Sequence, residues 1–310
     1  MEALPSSITK PKIKSDEHYK EQLQLAIENY NSEHENEPKI GNIDSIFIPE
    51  AFDTKVVYIS VDDVLVKRQK EERNKARSQN TPRNVSTTVI HVAADGKAYT
   101  ISAVGMKKAF SILVAYLLGN RLMEDRQLIF LSDGATDIKK NVREFFYYRP
   151  YVLILDWFHL AKKVKEFASM AFYMKKDEKK STIMAINSYL WVGDVDGAIA
   201  YTNSIKNTKV KSTYYRDELC SYLERKRPYI CPHALRKEMN LKLSSNFSEK
   251  ANDMLVANRQ KHNGMSWSKH GSAAISTIST LIYNNNLISW IKNKSISLSM
   301  DDAGRVMKVA

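Results

Sequence analysis

The sequence predicts an α/β protein, a mixed five-stranded sheet with flanking helices and a helical insertion ahead of its last helices. Three observations lead there. Five short β-rich runs fall between residues 55 and 155, the last three separated by helical stretches. Asp95-Gly96 sits between two of the runs, a strong hairpin signal. Tyr151 to Leu155 (YVLIL) is apolar without alternation, as in a strand covered on both faces.

In chain order, Tyr19, Leu23, Ala26, Ile27 and Tyr30 recur at helical spacing over 15–33, which predicts a short amphipathic helix. Polar, Asn-rich sequence then reads as a linker to about Pro49. Lys55 to Val61 (KVVYISV) is the first expected strand, ending at Asp62 and Asp63. A basic segment, KRQKEERNKARSQNTPRN, leads to a hairpin of Val85–Val92 and Ala98–Val104. Lys107 to Leu118 is apolar enough for a crossover helix lying on a sheet, and it feeds a fourth strand, Gln127–Leu131, that ends in Ser132, Asp133 and Gly134. A helix is expected over Thr136–Phe146, and the fifth strand runs into Asp156, Trp157, Phe158 and His159.

Three meandering strands followed by helix, strand, helix, strand, helix, with right-handed crossovers, match the ribonuclease H-like fold. Beyond about 165 the signals are helical, with two last helices near 246–261 and 271–293. The expected division is 1–50 helix and linker, 51–174 ribonuclease H-like core, 175–243 helical insertion, and 244–310 carboxy-terminal helices completing the core.

The formal net charge is +12, from 47 Lys and Arg against 35 Asp and Glu, which suits a polyanionic partner such as nucleic acid. Two cysteines, Cys220 and Cys231, are too few for a disulfide scaffold. Cys231 and His233 lack a second pair to complete a tetrahedral metal site and read as ordinary residues. The amino terminus lacks the apolar core of a secretory signal and no stretch reaches the length of a membrane span, so a cytoplasmic, nucleoid-associated protein is expected.

Asp62 and Asp133 each follow a separate expected strand, in a topology that sets those strands side by side. Paired carboxylates in a basic protein suit a divalent-metal site for phosphoryl transfer, because Mg²⁺ takes hard oxygen ligands. Taken singly, each acid also reads as a strand-terminal turn residue. Glu249 is the candidate third carboxylate; a capping box with Asn246 competes for it, and it projects away from the apolar stripe of Phe247, Ala251, Met254 and Leu255. Asp156 and His159 read equally as site residues at a strand end or as caps of the next helix. Lys67, Arg68, Lys70 and Arg73, then Lys162 and Lys163, with Arg259 and Lys261 near the third acid, are candidate phosphate contacts. Tyr214, Tyr215, Trp191 and Trp267 read as core or as base-stacking residues. Asp194-x-Asp196-Gly197 lacks the later bidentate Glu of a calcium loop and reads as a turn.

YISVDDVLVKRQKE, FLSDGA, LDWFHLAKKV and EKANDMLVANRQKHNGMSWSKHG, in that order, resemble the ISLre-type bacterial insertion-sequence transposases, relatives of the Mutator-like group with a DDE catalytic domain. The resemblance covers about 55–280 and is weakest over 175–240. It implies Mg²⁺- or Mn²⁺-dependent DNA strand cleavage and transfer, with Asp62, Asp133 and Glu249 as catalytic and metal-holding acids. Asp156 and His159 would correspond to the family's Asp-x-x-His element, assisting at the site together with Asp63. Double-stranded DNA, as element ends and target, and further copies of the chain are the implied partners. The chain departs from the family in having Asp63 where Gly is usual and Ser244-Ser245-Asn246 before the Glu; its amino-terminal region is shorter than the family leads one to expect. A non-catalytic DNA-binding remnant and a purely hydrolytic nuclease are the competing readings.

Overall fold

A computed structural model describes residues 17–44, 46–48, 55–70, 82–242, 250–261, 264–296, 298 and 300, with side chains from residue 20 onward. Glu249, Arg73, Asn246, Phe247 and the Ser244-Ser245 pair lie outside the described residues. The described residues of Thr54–Val152 and Ser245–Ala310 cluster into one compact unit, those of Thr9–Asp53 and Leu153–Ser244 into another.

The helix at the amino-terminal end, α1 (Glu17–Glu33), belongs to the second unit and is taken up below. The first unit is built on the expected sheet. Its strands are β1 (Lys55–Lys67), β2 (Asn84–Ala94), β3 (Lys97–Val104), β4 (Arg126–Ser132) and β5 (Tyr151–Leu155), in spatial order β3-β2-β1-β4-β5. β1, β2 and β3 form an antiparallel meander, and β4 runs parallel to β1. Helix α2 (Met106–Gly119) links β3 to β4, and α3 (Thr136–Phe146) links β4 to β5. This is the mixed α/β sheet of the ribonuclease H-like class. The β2–β3 turn places Asp95 at φ 49° and Gly96 at φ 73°. Two successive positive φ values are what a two-residue type I′ hairpin demands, and Asp-Gly supplies them at small steric cost.

The first strand differs from expectation. β1 does not stop at the acids but continues through Asp62 and Asp63, paired to Val89 and Thr88, as far as Lys67 opposite Asn84. Consecutive acids disfavour a strand. Here the alternation resumes beyond them: Val64 and Val66 are buried while Leu65 and Lys67 face out.

A helical segment over 250–260 packs Ala251, Leu255 and Val256 onto Val64, Val66, Val85 and Val89. Its middle, Asp253–Ala257, is a π-turn. The wider turn rotates the following residues relative to a regular helix, so Met254, expected in the apolar stripe, is 48% exposed and Val256 is buried instead. The helix expected over 271–293 is two helices, α9 (Lys269–Tyr283) and α10 (Leu287–Asn293), broken where Asn285 adopts φ 59°. α9 meets β3 through hydroxyls, Ser102 Oγ lying 2.6 Å from Thr280 Oγ1, and it buries Ser272 and Ser276 beside Gln260.

The second unit is helical. It contains α1, α4 (Trp157–Ala171), α5 (Lys176–Trp191), α6 (Val195–Ser204), α7 (Thr213–Lys226) and α8 (His233–Glu238). Leu160, Val164, Ile186, Leu190, Leu219 and Leu223 form one core cluster. Leu23, Ile27 and Tyr30 of α1 join Val192, Ala234 and Leu235 in another. The division between the units runs through β5, so α4 groups with the helices after it rather than with the sheet. Asp194 caps α6 by accepting from the Gly197 amide at 2.7 Å, and Asp196 pairs with Arg227, so the Asp-x-Asp-Gly sequence is a helix start.

Candidate functional site

The register of β1 against β4 places the two leading acids. The last registered pair is Ser60 with Leu131, and Asp62 and Asp133 each lie two residues further along parallel chains. Side chains repeat every two residues along a strand, so Asp62 falls on the face of Ser60, while Asp133 is the first residue past the end of β4, at the same level of the register. Adjacent strands in a sheet are spaced by ~4.8 Å.

Asp62 is held from two directions. Its Oδ1 accepts from the Asp63 amide at 2.8 Å, and its Oδ2 accepts from Asn252 Nδ2 in the helical segment over 250–260. Asp133 follows β4 directly and gives Oδ1 to the Ala135 amide at 2.7 Å. This Asx-type turn, with Gly134 at φ 75°, stops the strand and starts α3. Both acids are half-buried.

Asn252 was not singled out from the sequence. It is 3% exposed, and its Oδ1 has no hydrogen-bond partner among the described residues. Its only sequence signal was a polar residue beside Ala251 in an otherwise amphipathic stretch, an ambiguous sign without knowledge of the π-turn.

The other candidates divide. Asp63 takes the opposite face of β1 from Asp62, where its carboxylate accepts from Ser86 Oγ at 2.5 Å and Thr88 Oγ1 at 2.7 Å. Lys67, Lys70, Arg259 and Lys261 are exposed in the first unit, and Arg68 is half-buried at the end of β1. Arg73 and Glu249 lie outside the described residues. In the second unit, Asp156 is fully buried as the N-cap of α4; Oδ1 accepts from the His159 amide at 3.0 Å and lies 3.1 Å from His159 Nδ1. Lys162 and Lys163 are exposed on α4, with Lys163 paired to Glu166 at 2.7 Å.

Of the aromatic candidates, Trp267 is tied into the fold: its backbone pairs with Lys67 and Gln69, and its Nε1 donates to Gln260 O at 3.1 Å. Trp191 packs against Trp157 and His233, and Tyr215 packs against Phe172 and its neighbours. Tyr214 is exposed. Among the described residues, no group of three or more His, Cys, Asp or Glu side chains is arranged to hold a metal. The donors at this edge of β1 and β4 are hard oxygens, the carboxylate of Asp62 with the Asn252 amide against it, and the carboxylate of Asp133 just past the end of β4. Such donors suit Mg²⁺ or Mn²⁺ and not a soft metal. No helix among the described residues is long and apolar enough to cross a membrane.

Fold and site together define an α/β protein with a ribonuclease H-like sheet and two acids each two residues beyond the last registered pair of neighbouring parallel strands. No family model matches the chain, and no curated protein matches it. A solved structure titled "Crystal structure of NurA" aligns at 12% identity over 89% of this chain and 65% of that one, with a TM-score of 0.17. The chain thus spans less than two thirds of that structure, and at this TM-score the likeness carries no argument.

Proposed function

We propose that the chain is a DDE transposase of the ISLre type, acting on double-stranded DNA with Mg²⁺ or Mn²⁺. The observation that carries this reading is the level placement of Asp62 and Asp133 on neighbouring parallel chains. Two carboxylates brought together repel unless a cation or a proton lies between them. Asp62 and Asp133 would hold the cation, with Glu249 as the third acid by resemblance. When bound, the metal would activate an attacking oxygen and stabilise the leaving one in phosphodiester exchange.

The residues themselves supply placement and charge. β1 and β4 fix the backbones of the two acids, and the amides of Asp63 and Ala135 with the Asn252 side chain restrict how each carboxylate turns. Exposed Lys67, Lys70, Arg259 and Lys261 in the same unit, within a chain of net charge +12, favour a phosphate backbone. More than one copy is expected to assemble on paired DNA ends, at the nucleoid.

The test is strand cleavage and strand transfer on candidate terminal inverted repeats with Mg²⁺, comparing the wild type with Asp133→Asn. Metal-dependent cleavage and joining that fall to background in the variant support the proposal. DNA binding without cleavage in either protein would establish the non-catalytic remnant, and cleavage without joining the hydrolytic nuclease.

A further inference from the structure

Asn252 is expensive where it stands. The helical segment that bears it is fixed to β1 and β2 by Ala251, Leu255 and Val256, so packing alone is served without an amide. Asn252 itself is 3% exposed and leaves Oδ1 without a partner among the described residues. A buried acceptor in that state carries its desolvation penalty uncompensated. The π-turn starts at the next residue, Asp253, and such turns collect at functional sites. Among the described residues the side chain's hydrogen-bond partner is Asp62, whose Oδ2 accepts from Nδ2.

We infer that Asn252 is a positioning residue for the first acid, fixing the Asp62 carboxylate through Nδ2 and offering Oδ1 as a neutral oxygen to the hydration shell of a cation held there. This rests on the metal-site reading proposed above and adds a residue to it. An amide suits the role better than a third carboxylate. It directs a donor at Asp62 and an acceptor at the cation, and adds no charge that would repel Asp62 when metal is absent.

The experiment titrates the full chain with Mn²⁺, following free Mn²⁺ by electron paramagnetic resonance, for the wild type, Asn252→Ala, Asn252→Asp and Asp133→Asn. Thermal unfolding without metal is measured in parallel. Asn252→Ala is expected to weaken Mn²⁺ binding by about 10- to 100-fold, as loss of supporting hydrogen bonds does at metal sites. The Mg²⁺ concentration for half-maximal cleavage should rise in step while the rate at saturating Mg²⁺ largely returns. Asn252→Asp, near-isosteric with the native side chain, sets a second carboxylate beside Asp62 and should make Mn²⁺ binding more steeply pH-dependent, because one of two adjoining carboxylates must lose a proton. Wild-type affinity in Asn252→Ala, or a wild-type pH profile in Asn252→Asp, overturns the inference whatever the melting temperature does. If Asp133→Asn abolishes Mn²⁺ binding while both Asn252 variants match the wild type, Asn252 alone is misassigned. If Asp133→Asn binds Mn²⁺ as the wild type does, the metal site fails and the inference with it.

Discussion

Asp63 and Thr88 face each other across β1 and β2, and the Thr88 hydroxyl donates to Asp63 Oδ1 at 2.7 Å while Ser86 donates to Oδ2 at 2.5 Å. Asp63 thus serves the sheet on the face away from Asp62. Removing it strands two hydroxyls in a half-buried setting. Asp63→Ala is expected to lose about 1–3 kcal/mol of stability in urea unfolding. Asp63→Asn, which keeps an acceptor, should lose less and retain metal-dependent cleavage. Loss of cleavage in a fully folded Asp63→Asn protein would return Asp63 to the site.

Asn284 replaces a strand at the edge of the meander. Its Oδ1 accepts from the Thr100 amide at 3.1 Å and its Nδ2 donates to the Thr100 carbonyl at 2.7 Å, both buried. One side chain satisfies two groups of β3 and fixes the break between α9 and α10. Asn284→Ala exposes both groups to the desolvation penalty and should cost roughly 2–4 kcal/mol, near the upper end of single substitutions. Asn284→Asp cannot donate to the carbonyl and should recover only part. Chemical unfolding of the two variants against the wild type gives the answer.

These two contacts also mark where the sequence stopped being legible. Strand identity, the Asp-Gly hairpin and α3 could be read because each rests on a local pattern: β-rich runs, a turn that needs positive φ, a 3.6-residue period. The placement of β1 beside β4 followed from topology, which the order of elements constrains. Asn252 and Asn284 could not be found, since each acts through a partner more than 180 residues away and no periodicity records that. The end of β1 was misjudged because consecutive acids oppose a strand on propensity, whereas hydroxyls on β2 satisfy one of them. The π-turn was invisible for the same reason: it is imposed by what the segment packs against.

His233 gives the second unit an acid sensitivity. It lies fully buried against the contacting pair Trp157 and Trp191, with ring centroids 5.3 and 6.0 Å away, and neither ring nitrogen has a partner among the described residues. Burial, helped by Arg236 and opposed by Asp156, pushes its pKa from 6.5 down to about 3. The unfolded chain takes up a proton that the folded one refuses. Stability is therefore full above pH 6.5 and lost as pH falls from there toward 3, by up to about 1.4 kcal/mol per unit from this group. Substituting His233→Leu, which cannot titrate, should flatten that part of the profile in urea titrations between pH 7 and 4. An unchanged slope would mean that other groups dominate the acid limb.

Asp156 tests whether a buried acid at a strand end serves the helix or the chemistry. As the N-cap of α4 it accepts from the His159 amide at 3.0 Å, and the same oxygen meets His159 Nδ1 at 3.1 Å. An N-cap needs an oxygen acceptor, and Asn supplies one as well as Asp does. Asp156→Ala should therefore cost about 0.5–2 kcal/mol in thermal or urea unfolding, whereas Asp156→Asn should stay close to the wild type. Asn removes the negative charge while keeping one oxygen to accept from the His159 amide, so cleavage kinetics on the folded Asp156→Asn protein test the need for a carboxylate. If the residue is a cap, cleavage persists at the wild-type rate. A folded variant that has lost cleavage would mean that the carboxylate and His159 act on the reaction, as the ISLre resemblance implies for this Asp-x-x-His pair.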